Sequence, residues 1–312
     1  MPAPRAVLIT GGTSGLGLAA ARELAARGGV AVTATGRTVT SAPPLPGVAW
    51  AALDLADRDS VARIVAGSEP LHALVANAGS QFTGVQRTAA GWEATFAINH
   101  LGHVDLICGL LAAGRLAPGA RIVIVGSGTH DPAVRTGMPA PRLTTVRAAV
   151  DDIGPDADGD GDAERGRGGA RAARRRYTTS KLANVMTGLH LARCLAGRGV
   201  TVTAFDPGLM PGTGLVRDAP RAVQLLWRTA AQGLRVLPGV TTAAVSGRVL
   251  ADLAVGDAWA GRTGIYVSLD RVRDASVQAR DVAGQERLWA ESLALLGIAP
   301  DPAAATPAAP SV

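Results

Sequence analysis

The chain has 312 residues, 47% of them apolar, which is enough for a sizeable core, and a formal charge of +6 from 31 basic and 25 acidic side chains. The excess positive charge is concentrated between Arg165 and Arg176, so a broad basic surface and a nucleic-acid partner are not expected. Two cysteines, Cys108 and Cys194, lie in apolar helical patterns with neither a CxxC nor a histidine cluster, which excludes a disulfide framework and a zinc site. The opening MPAPRAVLIT reaches a strand-like run almost at once, and no apolar run of about 18 residues follows, so neither a signal peptide nor a membrane span or membrane partner is expected, and a cytoplasmic location is.

In chain order, short apolar runs alternate with longer helical patterns. AVLIT (6–10) precedes LGLAAARELAARG; VAVTAT (30–35) and VAWAAL (48–53) precede DRDSVARIVAG; LHALVAN (71–77) and RIVIVGS (121–127) follow. VTVTAFD (200–206) comes after KLANVMTGLHLARCLAGRG, and GIYVS (264–268) after TTAAVSGRVLADLA. Strands apolar on both faces and separated by helices predict a parallel sheet between two helix layers. The expected fold is α/β: a Rossmann-type, doubly wound, three-layer single domain over residues 1–298. Two segments break the rhythm: 128–176, rich in Gly, Pro, Asp and Arg, and 209–240, which carries AVQLLWRTAAQGLRVL around Trp227. Both fall on the carboxyl side of the strands, where open α/β sheets bind ligands. Residues 299–312, APDPAAATPAAPSV, read as a disordered tail.

The first strand runs into TGGTSGLG (10–17), with Gly11, Gly15 and Gly17 around Ser14 and Leu16 at the opening of a helix. Glycine there permits a tight turn and close approach of a pyrophosphate to the helix N-terminus. A carboxylate ending the second strand would hold a ribose 2′-hydroxyl, but TGRT puts Arg37 there and no acidic residue occurs before Asp54, so NADP(H) is favoured. Asp54, in ALDLAD, either accepts from an adenine amine or caps the next helix. ANAG (76–79) ends the fourth strand and sets Asn77, Ala78 and Gly79 in a turn beside the cofactor.

Tyr177 and Lys181 stand four apart at the start of a helical pattern and so share one face. A phenol of reference pKa about 10 is a poor acid–base catalyst at neutral pH; a nearby ammonium and an oxidised nicotinamide are expected to lower that value. Ser127, ending the fifth strand, is placed to hydrogen-bond a substrate carbonyl, and Asn99, in INHLGH, to hold either a water or a helix kink that relays protons.

Taken in order, the cradle, NAG, NHLG, VGS and Tyr-x-x-x-Lys resemble the short-chain dehydrogenase/reductase family over residues 6–298. The resemblance implies a catalytic tetrad of Asn99, Ser127, Tyr177 and Lys181, with Tyr177 giving a proton to a carbonyl as NADPH gives hydride and Lys181 also binding the nicotinamide ribose. It further implies that Gly11, Ser14, Leu16, Arg37, Asp54, Leu55, Asn77 and the Pro207–Gly208 turn line the cofactor. NHLGH, IVGS, YTTSKLANV, DPGLMPGTGL and TGIYVS look most like the retinol dehydrogenase and light-dependent protochlorophyllide reductase branch, which implies a bulky, apolar or polycyclic substrate. Two positions depart from that pattern. Leu209 stands where the protochlorophyllide enzymes carry a functional cysteine, which argues against their activity. The threonine expected to meet the nicotinamide carboxamide is displaced, with Gly212 in its place and Thr213 next to it.

Ser127 and Tyr177 are 50 positions apart, and the span between them contains DADGDGDAERGRGGARAARRR. Asp156, Asp158, Asp160 and Gly161 fit the start of a calcium loop, but Arg167 stands where a bidentate glutamate is required, so no metal is expected. No aromatic residue interleaves the arginines, which further disfavours nucleic acid. Two readings stand for 128–176: a solvated loop whose charges cancel, or a substrate lid in which Arg174, Arg175 or Arg176 reaches an anionic group of the substrate or cofactor. The sequence therefore points to an NADP(H)-dependent carbonyl reductase or alcohol dehydrogenase acting on a large hydrophobic or aromatic, polyketide-like small molecule of secondary metabolism. The family resemblance adds homodimer formation through helices. The rivals are a pigment or tetrapyrrole reductase and a non-catalytic NADP(H)-sensing partner, and the intact tetrad opposes the latter.

Overall fold

The computed structural model describes residues 3–40, 42–152, 169–210 and 239–300. Eight strands are β1 (Arg5–Ile9), β2 (Val30–Gly36), β3 (Val48–Ala52), β4 (Leu71–Ala76), β5 (Leu116–Val125), β6 (Thr201–Asp206), β7 (Ile265–Ser268) and β8 (Arg271–Arg273). They form one sheet in the spatial order β3-β2-β1-β4-β5-β6-β7-β8. Every neighbouring pair is parallel except β7 and β8, which run antiparallel. The winding reverses between β1 and β4, and a crevice at the carboxyl ends of those strands is where such sheets take ligands.

Alternation along the strands feeds both faces. Val7, Ile9, Val32, Val75 and Val123 turn to one side, where they pack with Leu24 of α1 (Gly15–Ala26) and Leu250 of α6 (Ala243–Val255). Leu8, Leu74, Ile122, Ile124 and Val202 turn to the other. They meet α2 (Arg58–Gly67), α3 (Ala94–Ala112) and α5 (Ala170–Cys194), with α7 (Val282–Leu296) packed outside α5. A strand with no polar face can be satisfied only between two helix layers, and this is the three-layer Rossmann-type arrangement that the sequence predicts. Helix α3 is long and apolar enough to cross a membrane, yet most of it is buried inside the fold. It is interrupted by a wider π-turn at Ala97–Leu101.

Several boundaries differ from the sequence reading. Strand β5 starts at Leu116 and ends at Val125, so Ser127 lies beyond the strand as the cap of a short 3-10 turn, Gly128–His130. Helix α5 starts at Ala170, so Arg171–Arg176 belong to its first turns, and a further helix, α4 (Val146–Asp151), occupies the span read as irregular. Alanine and arginine are good helix formers, and no Gly or Pro interrupts the run from Ala170 to Arg176. The expectations for 153–168, for 211–238 with Gly212, Thr213 and Trp227, and for 301–312 lie outside the described residues.

Gly102, just past the π-turn, touches the loop after β3: a β-carbon there would lie 2.3 Å from the Leu55 carbonyl oxygen and 2.6 Å from Leu55 Cβ. Because the nearer obstacle is backbone, Gly102→Ala is expected to cost about 1–3 kcal/mol by overpacking. In urea unfolding the midpoint should fall with an unchanged slope.

Candidate active site

The cradle is built by close contact. Gly11 has φ +69°, and a β-carbon on it would stand 2.8 Å from Ala78 Cα; one on Gly17 would stand 2.4 Å from the Gly11 carbonyl oxygen. The loop 10–17 is therefore pressed against both the β4 turn and its own helix, leaving the first-turn amides of α1 directed outward at the switch point. Asn77 Nδ2 donates to the carbonyls of Thr10 and Gly11, at 2.8 and 3.2 Å, and locks cradle to turn. Leu16, Leu55 and the half-buried Asp54, Ala78 and Ser127 surround this region, while Ser14, Gly79 and Arg37 are exposed on its rim. Asp54 Oδ1 accepts from the Ala56 amide at 2.9 Å, and the cap of α2 is Asp57, so Asp54 is not the cap of that helix. A backbone nest at a helix N-terminus, with a guanidinium ending β2, fits a dinucleotide phosphate group.

Next to the cradle, the four candidate reacting side chains meet. Ser127 stands beside the Tyr177 hydroxyl and favours its ionised form, and Lys181 Nζ lies 5.7 Å from the Tyr177 ring centroid. Lys181 Nζ donates to the Val125 carbonyl at 3.0 Å, and Asn184 Nδ2 donates to the same oxygen at 3.2 Å. Asn99 Oδ1 accepts from the Ser80 amide at 2.7 Å, while its Nδ2 donates to Ser80 O and Ser180 Oγ, each at 3.0 Å. The vacant β-position of Gly79 would be 3.4 Å from Asn99 Oδ1 and 3.5 Å from Lys181 Nζ, which places both at one point on the rim. Pro207 and Gly208 close the opposite side; Gly208 has φ +76°, and a β-carbon there would strike Leu269 Cδ2 at 2.5 Å.

The electrostatics differ from expectation at Tyr177. Burial, then the Asp206 carboxylate, pushes the phenol pKa up, against a smaller lowering by Ser127; in the protein alone it is a firmly protonated group. Burial lowers Lys181 to about 8, with Asp206 holding it up. Arg176 also departs from its expected role. It is buried, with Nε 3.6 Å from Glu93 Oε1 and Nη1 3.3 Å from Asp152 Oδ2, so it ties α5 to the start of α3 and the end of α4 and does not extend toward a ligand. Arg174 is exposed and Arg175 half-buried.

The sequence reading missed His103 and Thr10. His103 Nδ1 is 2.9 Å from the Asn99 carbonyl and Nε2 is 2.9 Å from Thr10 Oγ1, which itself accepts from the Asn77 and Ala78 amides, at 2.9 Å each. That network assigns a neutral imidazole that donates from Nδ1 and accepts at Nε2. The signal available was the i, i+4 spacing of Asn99 and His103 within NHLGH.

A doubly wound sheet with a glycine cradle at its switch point and a Tyr–Lys pair beside it defines a nicotinamide-dinucleotide-dependent oxidoreductase. Comparison with known proteins makes this narrower: the short chain dehydrogenase family model matches residues 5–137. Retinol dehydrogenase 12 of Homo sapiens is 32% identical over 307 residues, covering 94% of this chain and 87% of its own. Protochlorophyllide reductase A, chloroplastic, of Oryza sativa subsp. japonica is 31% identical over 318 residues, covering 94% and 80%. A solved structure of a protein from Mycobacterium Paratuberculosis is 27% identical with a TM-score of 0.66, covering 95% of this chain and 94% of that one. The chain belongs to the short-chain dehydrogenase family, in the retinol dehydrogenase and protochlorophyllide reductase branch, and is an oxidoreductase using NAD(P).

His100 and His103 are buried, and burial lowers them to about 3 and about 4. Both stay neutral in the fold while the unfolded chain binds protons from about pH 6.5 downward, so acidification favours unfolding. Unfolding free energy measured between pH 7 and about 4.5 should fall by roughly 2–3 kcal/mol per histidine. His103→Gln should make the pH slope shallower whatever its effect at neutral pH.

Proposed function

We propose that the protein is an NADP(H)-dependent carbonyl reductase, transferring hydride between the nicotinamide and a ketone or secondary alcohol of a bulky hydrophobic or aromatic, polyketide-like substrate. The observation that carries this reading is the convergence of Ser127, Tyr177 and Lys181 beside the dinucleotide cradle. The cofactor, when bound, supplies or accepts the hydride; the chain's own groups handle the proton.

Tyr177, protonated and beside Ser127, is set to give its hydroxyl proton to a carbonyl oxygen, and Ser127 to hold that oxygen in place. As the proton leaves, negative charge gathers on the phenol oxygen, where the Lys181 ammonium offsets it. With its pKa about 8, Lys181 is cationic at neutral pH and loses that charge not far above it. Asn99, fixed by Ser80 and Ser180 at the π-turn, keeps α3 kinked toward Lys181. Gly11, Ser14, Gly15, Leu16, Gly17, Asp54, Leu55, Asn77, Ala78, Gly79, Pro207 and Gly208 would hold the dinucleotide. Arg37, exposed at the end of β2 with no carboxylate in the adjoining turn, supports NADP(H) over NAD(H). Leu209 in place of a cysteine weighs against pigment reduction.

The test is oxidation of NADPH and NADH with a panel of aromatic, polycyclic and aliphatic ketones. Bulky ketones should be reduced with NADPH, and Tyr177→Phe should lower kcat by about 10²–10⁴-fold. Arg37→Ala should raise KM for NADPH about tenfold while leaving KM for NADH unchanged. Equal loss with both cofactors would remove the NADP(H) assignment, and a fully active Tyr177→Phe protein would remove the mechanism.

A further inference from the structure

Ser127 is the side chain that has to hold a carbonyl oxygen, and a serine hydroxyl is by itself free to turn its proton among several staggered directions. The short 3-10 turn that follows Ser127 removes that freedom. Ser127 Oγ accepts from Thr129 Oγ1 at 3.0 Å and from the Thr129 amide at 3.3 Å. The amide contact is long for an N–H donor, so the hydroxyl makes the tighter of the two bonds. An oxygen that accepts twice has used both lone pairs, and only its own proton is left to give. The lowering that Ser127 exerts on the Tyr177 pKa is the effect of a donor turned toward the phenol oxygen.

The main chain of Ser127 is held from the other side. His130 Nδ1 lies 2.8 Å from the Ser127 carbonyl oxygen, and His130 Nε2 accepts from the Ser276 amide at 3.1 Å. A backbone amide can only donate, so Nε2 carries no hydrogen and Nδ1 donates to Ser127. The buried imidazole packs edge-on against Tyr266, with ring centroids 5.0 Å apart, and ties Ser127 to the segment after β8. With the backbone fixed by His130, the freedom left at Ser127 is rotation of its side chain, and Thr129 is the group that restrains it.

We propose that Thr129 is a positioning residue of this site: its hydroxyl occupies the acceptor side of Ser127 and makes that serine a donor only, aimed at the substrate oxygen before substrate arrives. The proposal rests on the reductase reading given above. A carbonyl oxygen then meets a preset donor and not a hydroxyl that has first to turn, which removes a reorganisation from the path to the transition state. An acceptor oxygen is favoured at that point over an N–H group, which would find donor against donor.

Thr129→Val keeps the shape and removes the hydroxyl, while Thr129→Ser keeps the hydroxyl. NADPH oxidation with an aromatic ketone is measured for both, alone and combined with Ser127→Ala. Thr129→Val is expected to lower kcat about tenfold with KM for NADPH unchanged, and Thr129→Ser to keep most of the wild-type rate. In the Ser127→Ala background the same change should cost nothing, because no hydroxyl is left to aim. A merely structural role would lower both backgrounds alike, and that result overturns the proposal; so does an unchanged or higher kcat in Thr129→Val, which would mean that Ser127 donates to Thr129. Crystal structures of the cofactor-free wild-type, Thr129→Val and Thr129→Ser proteins give a readout that needs no turnover, with Thr129→Ala as the second hydroxyl-free variant if Thr129→Val does not fold. Ser127 Oγ should hold one rotamer in the wild-type and Thr129→Ser proteins and spread over two or more without the hydroxyl; one unchanged rotamer throughout overturns the proposal. That spread in a protein that reduces no ketone supports the assignment of Thr129 and counts against the reductase reading instead.

Discussion

A single hydroxyl group sets the register of the site. Thr10 Oγ1, fully buried at the end of β1, accepts the amides of Asn77 and Ala78 and contacts His103 Nε2. It thereby joins three chain segments from three elements: the cradle after β1, the turn after β4 and the helix α3. Its two accepted bonds and one donated bond use the full capacity of a hydroxyl. None of the three segments can shift without leaving a buried polar group unpaired, which costs about 1–3 kcal/mol each. The π-turn of α3 follows the same logic, since the Asn99 carbonyl takes its bond from the His103 side chain.

The architecture was legible because the strands are apolar on both faces, a pattern that one-sided sheets do not show. The cradle and the Tyr177–Lys181 pair were legible because their chemistry is local: a glycine turn and two residues one helical turn apart. What the sequence concealed acts over long separations. Thr10 and His103 are 93 positions apart, and Asp206 reads as an ordinary strand end until Tyr266 and Ser268 are folded against it. The rise in proton affinity at Tyr177 was concealed for the same reason, because burial and a carboxylate far off in sequence outweigh the lowering by Ser127.

The arginine run shows how a composition argument can mislead. Six consecutive positions, 171–176, hold four arginines, yet helix periodicity sends them to different environments. Arg176 turns inward to Glu93, whose carboxylate also accepts the Thr95 and Phe96 amides that open α3. The residue immediately before Tyr177 is thus part of a buried charge cluster that ties the second turn of α5 to α3 and α4, and with it fixes the height at which the phenol emerges. Breaking such a pair from one side leaves an uncompensated charge behind, so the cluster acts as an anchor for the site even though burying it is costly.

The last strand has a bearing on how the molecule behaves among its own copies. An open sheet ends in rows of unpaired amides and carbonyls that another chain could extend. Strand β8 is three residues long, runs against the direction of the rest of the sheet, and presents Arg271 and Arg273 on an exposed edge. A strand arriving there would find little backbone to pair with and two like charges to bury, so this edge is guarded against strand addition and the amyloid-like growth that follows from it.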